Sequence, residues 1–449
     1  MKEIAEDLMR RCLARGALAA EAYVKMGERR AVELNPDGVV SWTRSAEGGI
    51  GLRVLREGGA AGFASICGPR PGDEALDQLI MAAMDAARPA VRGAGTVFAL
   101  PKCGATRDGR GLGIFDPRLH AATPADLEGL LSDAAREALH IDPRVRRLDT
   151  ASIVVSSTRV MIRNSEGFDG AYRQTIVHLS LGAVAQDAGR SIVVRQSKTA
   201  RSLSAFSPVL FGDQTARLAL SALEGSALQG CRTPVLLAPA AAAEVLRHFS
   251  RNVIIPAAAP GAHVTSPRLT IIDDGHLPGG VASAPFDGEG VATQRTVLVS
   301  RGVLTGTIHD LHSAARAGAA GTASTGNGMR MSFREPPRRM TSNLFIAPGG
   351  DEPTELMRAL RDGIHVEALR PTTALRGDAS VFAGIVTGRR IVSGLPQEAV
   401  AGALLVAPLS DLLHGVTGVG NDLTFGLPGG SFAAPSLLVK EVEIRAPWA

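Results

Sequence analysis

Residues able to do chemistry gather at three places in this chain of 449 residues. The first is PAAAAEVLRHF at 239–249, whose pattern predicts a helix. Glu244 and His248 stand four apart on one face of it, a spacing that suits two metal ligands. A hydrolytic zinc ion needs three protein ligands and an open position for water. Ala243, the residue before Glu244, has no donor atom, so this helix alone does not complete such a site. The second place is His309-Asp310-Leu311-His312, with two imidazoles and a carboxylate in four residues. Here Ile308 and Leu311 read as core positions, and on a strand the two histidines would point apart, which favours a structural role. The third is His276 beside Asp273 and Asp274 in IDDGHLPGG, where Asp and Gly serve equally well as turn residues. There is no GxSxG elbow and no cysteine next to a histidine, so nothing argues for a serine or cysteine hydrolase.

The elements that must position these residues are legible in outline. Ile4, Leu8, Cys12 and Leu13 recur at helical spacing, and Gly16 suits the C-cap. Ile50, Leu52 and Val54 alternate, Gly58 and Gly59 supply a turn, and the chain returns through Phe63 as a hairpin. A helix over 73–88 stops at Pro89. Residues 89–122 read as a linker or long loop; the GRGLG at 109–113 has no strand leading into it and no helix following at once, so it is read as loop and not as a phosphate cradle. Thr123 is a full helix start, with Pro124 and Asp126 behind it. Residues 152–195 alternate as an antiparallel meander, not a βαβ repeat, and a helix over 213–223 follows. The main domain boundary falls between that helix and Cys231. Beyond it come strands at 233–237, 296–304 and 436–444 and short helices at 239–249, 354–362 and 408–413. The expected fold is α+β, with an N-terminal α/β-type domain of antiparallel strands and packing helices and a C-terminal, mostly β, barrel-like domain. The expected divisions are 1–110, 111–228 (continuous with the first) and 229–449.

Composition excludes several classes. Apolar residues make up 45% and charged residues 20%, as in globular domains, while aromatics at 4% leave most packing to Ala, Leu and Val. The net charge of +4 is scattered, which does not suit a nucleic-acid footprint. Cys12, Cys67, Cys103 and Cys231 form no CxxC pair, against a disulfide framework or a thiolate zinc cluster. No apolar run approaches the roughly 18 residues of a membrane span, so the expected compartment is the cytoplasm.

Several segments, in order, resemble one known family. They are Glu21-Ala22 in GALAAEAYV, GIGLRVLREGGAAGFAS at 49–65 and IRNSEGFDG at 162–170, which carries Asn164. In the second half they are DDGHLPGG at 273–280, PFDGEGVATQRTVLVSRGVL at 285–304, HDLHSAARAG with Asp310, and Ser324-Thr325-Gly326-Asn327. Thr341 to Leu344, RGDAS at 376–380, VGNDL with Asn421 and Asp422, and PSLLV at 435–439 complete the series. Together they resemble the TldD/PmbA family of peptidase-related proteins, and within it the PmbA (TldE) branch.

The resemblance implies that the TldD branch carries a zinc-binding H-E-x-x-x-H helix and a further cysteine ligand near the C-terminus. Here that helix reads A-E-V-L-R-H from Ala243 to His248, and no cysteine follows Cys231. The implied role is a subunit without catalytic or metal-binding residues of its own, which assembles with a TldD-type zinc subunit. Zinc is then expected in the partner, and extended, unfolded or modified peptides are the expected substrate. Neither nucleic acid nor membrane is an expected partner. Two other readings stand beside it: an autonomous metallohydrolase with rearranged ligands, Glu244 and His248 with His309 or His312, and a regulatory binding protein that acts without proteolysis.

Overall fold

The computed structural model describes residues 2–446 apart from 36–37, 39, 69, 88–99, 102–108, 110, 206, 229, 255–257, 318–321, 373–379 and 428–429. The predicted helix stop at Pro89, most of the predicted linker, Cys103 and most of RGDAS fall outside the described residues.

The N-terminal half is built on one antiparallel sheet. Its strands are β1 (Ala19–Leu34), β2 (Val40–Leu55), β3 (Ala61–Cys67), β4 (Val145–Asn164), β5 (Asp169–Asp187) and β6 (Arg190–Ala200). They lie in the order β3-β2-β1-β4-β5-β6, so the long crossover from β3 to β4 carries the chain back to pair with β1. Helices cover one face only. α1 (Lys2–Ala14) and α2 (Asp73–Ala86) pack on Ala20, Ala22 and Val24 of β1 and Ile50, Leu52 and Val54 of β2. Within the crossover lie α3 (Pro117–Ala121), which the composition of 89–122 concealed, and α4 (Pro124–His140). The start of α4 is the predicted one: Thr123 and Asp126 form a reciprocal capping box. α5 (Pro208–Glu224) starts five residues before its predicted position, because Ser207 caps it and Pro208 occupies its first turn. α4 and α5 bury Leu127, Leu131, Phe211 and Ala219 against β4 and β5 in a second, separate core.

The C-terminal half has two sheets. β7 (Cys231–Leu237) leads into α6 (Pro239–Ile254), and β8 (Ile271–Asp274), β9 (Arg295–Ser300) and β10 (Val303–Leu304) follow. The single predicted strand over 296–304 is thus two strands, turned at Arg301 and Gly302, both of positive φ. α7 (Leu311–Arg316) precedes a short ribbon, β11 (Gly328–Met329) and β12 (Arg338–Arg339), then β13 (Leu344–Ile346) and α8 (Pro353–Leu360). The chain ends with β14 (Gly363–Pro371), β15 (Val381–Val392), β16 (Leu395–Pro408), α9 (Leu409–His414), β17 (Val416–Val419), β18 (Thr424–Leu427), β19 (Phe432–Ala434) and β20 (Leu437–Arg445). One sheet runs β16-β15-β14-β7-β20-β17, and β16 also pairs with β20 through Leu404 to Val406, which closes a five-stranded barrel. The other runs β10-β9-β8-β13-β19-β18. α6 lies between the two sheets, and its alanines let strands from both sides approach it. The molecule is α+β with a barrel in its second half, as the sequence predicts.

The helix-free face of the N-terminal sheet receives the segment between β8 and β13. Gly49 and Gly51 on β2 make this possible: a Cβ at the first would stand 2.2 Å from the Phe333 ring, and at the second 2.4 Å from the Phe333 carbonyl oxygen. Tyr23, Val160, Ile162 and Phe168 from the sheet then pack with Phe286 and Phe333.

Candidate functional site

On α6, both Glu244 oxygens accept from Nε of Arg247, at 3.0 and 3.2 Å, and Nη2 of the same guanidinium makes a third contact. His248 sets its Nδ1 3.0 Å from the Glu244 carbonyl oxygen and its ring edge-on to Phe382, centroids 5.0 Å apart. Ala243 is fully buried in the core shared by the two C-terminal sheets. The sequence brings Glu244 and His248 to one face as predicted, but the Arg247 guanidinium engages both carboxylate oxygens and Ala243 has no donor atom. Three tetrahedral ligands for zinc are not assembled on this helix. Among the described residues no group of three or more His, Cys, Asp or Glu side chains is placed to hold a metal ion.

The other predicted candidates fall into one polar hub and two outlying turns. Asp310 is the N-cap of α7, accepting from Ser313 N at 2.7 Å. His309 lies before that helix: its N donates to Thr325 Oγ1 at 2.7 Å, while its carbonyl oxygen accepts from Thr325 N and Ser324 Oγ. Asn327 accepts from Thr325 Oγ1 at 2.6 Å and donates to Asp273 Oδ2 at 2.7 Å. Position 326 requires glycine on two counts, its positive φ of 73° and the Ala292 carbonyl oxygen that a Cβ there would meet at 2.5 Å. Asp273 also accepts from Ser342 N and Ser342 Oγ, at 2.7 and 2.8 Å. Burial pushes the Asp273 carboxyl up to about 6 against these three donors, which pull it down. His276 lies one turn on, its N donating to Asp274 Oδ1, and His312 rides on α7; the Nδ1 atoms of both rings are buried without a partner among the described residues. The outliers are Asn164, which shapes the β4–β5 turn by accepting from Glu166 N and Phe168 N, and Asn421 and Asp422. Asn421 donates to Glu352 Oε1 at 2.7 Å, and Asp422 accepts from Ser436 N and Oγ.

Beside the hub lies a constellation that sequence reading did not identify as a site. Glu21 of β1 and Arg53 of β2 stand directly opposite each other and pair at 2.8 Å. Arg53 also holds Glu289 Oε1 at 3.0 Å, and Arg330 adds a second guanidinium to Glu21 while lying 4.8 Å over the Tyr23 ring. Glu289 Oε2 accepts from Leu311 N at 2.9 Å, which ties the four charges to α7. Glu21 and the Arg330 side chain are fully buried. Burial lowers the basicity of Arg53, but the two carboxylates outweigh it and hold the guanidinium above its ordinary range; burial keeps Arg330 below its own. Burial and then the neighbouring Glu289 push the Asp287 carboxyl well above its ordinary range, although three backbone N–H groups donate to it. Two guanidiniums therefore face two carboxylates in a closed contact between the halves of the molecule, with Nε and Nη1 of Arg330 buried and without a partner among the described residues. Charges so enclosed tie the halves together, and the arrangement is a clamp. The signal that could have revealed it is a glutamate within AAEAYV and an arginine within GIGLRVL, both in strands apolar enough to be buried.

Comparison with known proteins gives concordant results. Residues 117–223 match the model for the PmbA/TldA metallopeptidase central domain, and residues 230–446 that for the C-terminal domain. Metalloprotease PmbA of Escherichia coli is 26% identical over 422 residues, covering 89% of this chain and 84% of its own length. A metalloprotease TldD homolog of Haemophilus influenzae is 26% identical over 348 residues, 70% of each chain. Among solved structures, TldE from Thermococcus kodakarensis superposes with a TM-score of 0.85 at 19% identity, over 99% of this chain and 100% of that one. A protein of Thermotoga maritima described as a putative modulator of a DNA gyrase gives 0.85 at 20% identity, over 99% of both chains.

Proposed function

Since the chain belongs to the TldD/PmbA family, whose relatives are named metalloproteases, we propose that it is a PmbA/TldE-type subunit of a two-component zinc peptidase and leaves the metal chemistry to a TldD-type partner. The observation that carries this reading is on α6. A zinc-dependent hydrolase uses its metal to acidify a water and to polarise the scissile carbonyl. At the helix where the family pattern sets its ligands, this chain has a buried alanine and a glutamate locked by Arg247.

The chain's own share of the work is to engage extended peptide. Residues 40–48 of β2 pair with β1, whereas β3 covers only residues 49–55 of the other edge. Among the described residues the remaining edge has no partner strand and only its Gly48 oxygen is taken, by Gly68 N; its sequence, VSWTRSAEG, is exposed and β-prone, with Trp42 63% exposed. Such an edge accepts a strand by main-chain hydrogen bonds, a mode that reads backbone more than side chain and so tolerates varied sequence.

Co-expression tests the assignment. An unfolded peptide should be cleaved only when this chain and a TldD-type chain are both present, and a chelator should abolish the cleavage. Efficient, chelator-sensitive cleavage by this chain alone would overturn it.

A further inference from the structure

The helical layer of the N-terminal sheet is split. α1 and α2 cover one end of the face and α4 and α5 the other, each with its own core. Between them, where α3 touches the sheet with His120 Nδ1 3.1 Å from Ser157 Oγ, two cavities of about 590 and 350 Å³ open, sharing Phe115, Arg159 and Arg173. The smaller continues over Met26, Ala46 and Gly48. Together they cross β5, β4, β1 and β2, three strand spacings of about 4.8 Å, or about 14 Å, the length of roughly four extended residues.

At one end of this trough stand Arg159 and Arg173, directly opposite each other on β4 and β5. Like charges so placed destabilise a sheet. Some arginines of the same sheet do have a carboxylate: Arg44 holds Glu28 at 3.0 Å, Arg163 holds Asp169 at 3.0 Å and Arg195 holds Asp149 at 2.6 Å. Among the described residues neither Arg159 nor Arg173 has a carboxylate partner. Arg173 is nevertheless fixed in direction, its guanidinium lying 4.2 Å over the Phe115 ring, which in turn packs on His120. The larger cavity is also lined by Gly109, Gly111 and Gly113, all of positive φ, so the backbone can approach a ligand without a side chain between them.

We propose that Arg159 and Arg173 form a carboxylate-binding subsite, which takes the C-terminal carboxylate of a peptide of about four residues lying in the trough. Two guanidiniums on adjacent strands present the forked donors that match a planar carboxylate, and the anion relieves their mutual repulsion. The carboxylates of the adjoining stretch, Glu28 and Glu47, are already engaged by Arg44 and Arg334 and do not compete for the pair. The proposal rests on the peptide-binding role proposed above and adds a contact on the face of the sheet, apart from the β2 edge.

Calorimetric titration of the full chain with N-acetyl-tetraalanine as free acid and as C-terminal amide tests it. The acid should bind about tenfold more tightly, in keeping with one charge-assisted fork. The ratio should fall to near one in Arg159→Gln/Arg173→Gln and to an intermediate value in Arg159→Lys/Arg173→Lys, which keeps the charge and loses the fork. Both double variants should stay folded, with melting temperatures within the few degrees that loss of the Arg173–Phe115 contact accounts for, since both positions are exposed. Equal binding of acid and amide, or a ratio that survives the glutamine variant, sinks the subsite. So does inorganic phosphate that binds more tightly than the acid and displaces it, which would give the pair to a phosphate. If the ratio is absent while the two chains together still cleave peptide, only the subsite fails; if the ratio stands and no cleavage occurs, only the subunit reading fails.

Discussion

α6 and the clamp between β1, β2 and the segment after β8 make opposite impressions in sequence and in space. α6 offers a glutamate and a histidine at ligand spacing, yet Arg247, one turn away, occupies the carboxylate, and the neighbouring position is core alanine. The clamp has no spacing at all: its pairs join residues 32, 236 and 309 positions apart. It nonetheless concentrates four buried charges at a single contact. Spacing reports which residues share a face. Whether a carboxylate on that face is free depends also on a third residue, here Arg247 three positions on, which shares the face and engages it.

The largest effects are expected at the clamp. Arg330→Ala leaves Glu21 and Glu289 sharing Arg53 in a buried contact, and breaking a buried pair from one side costs about 3–5 kcal/mol. Glu21→Leu combined with Arg330→Leu should recover much of that loss, because no unpaired charge remains. Urea unfolding measures both; a loss below about 1 kcal/mol for Arg330→Ala would mean that the clamp does not hold the halves together.

Asp273, at the hub beside the clamp, gives the next effect. Its folded carboxyl is raised to about 6 from an ordinary 3.8, so its stabilising contribution is complete below the lower value and is lost as pH rises through the upper one. At 1.36 kcal/mol per pH unit the difference is about 3 kcal/mol. Asp273→Asn removes this titration, although it also offers an amide where three donors converge. The stability advantage of the parent over that variant should therefore shrink between about pH 4 and pH 6, and a constant or growing advantage would contradict the burial of an ionisable carboxyl there.

Much of the fold was legible because the deciding interactions are local. Thr123, Pro124 and Asp126 announce α4 within four residues, and the alternation of 152–195 announces β4 to β6. The α+β class followed from these local signals. α3 was lost because five residues inside a glycine- and proline-rich stretch offer too little periodicity. β1 went unmarked because its first six residues are buried on both faces and do not alternate. At the candidate site the limit was of another kind. Asp310, Ser324, Thr325 and Asn327 were visible as motif positions, but their joint role depends on Asp273, more than thirty residues away in sequence and one hydrogen bond away in space. Arg159 and Arg173 carry no sequence signal, since only the register of β4 on β5 sets them opposite each other.

The smallest effect probes α6 directly. Ala243→His places an imidazole where the family resemblance implies a metal ligand. The imidazole must enter a closed core between two sheets, which should cost about 1–3 kcal/mol by overpacking. Zinc should not restore that loss, because Glu244 remains bound by Arg247. Adding Arg247→Gln to Ala243→His releases the carboxylate, and only this double variant should gain stability from zinc, about 2.7 kcal/mol where the metal stands at a hundred times its Kd. Equal zinc-dependent shifts in melting temperature for the single and double variants would show that the alanine alone separates α6 from a working ligand helix, with Arg247 having no part in it. A shift confined to the double variant assigns the difference between α6 and a metal helix to two residues, one that lacks a donor and one that occupies its neighbour's.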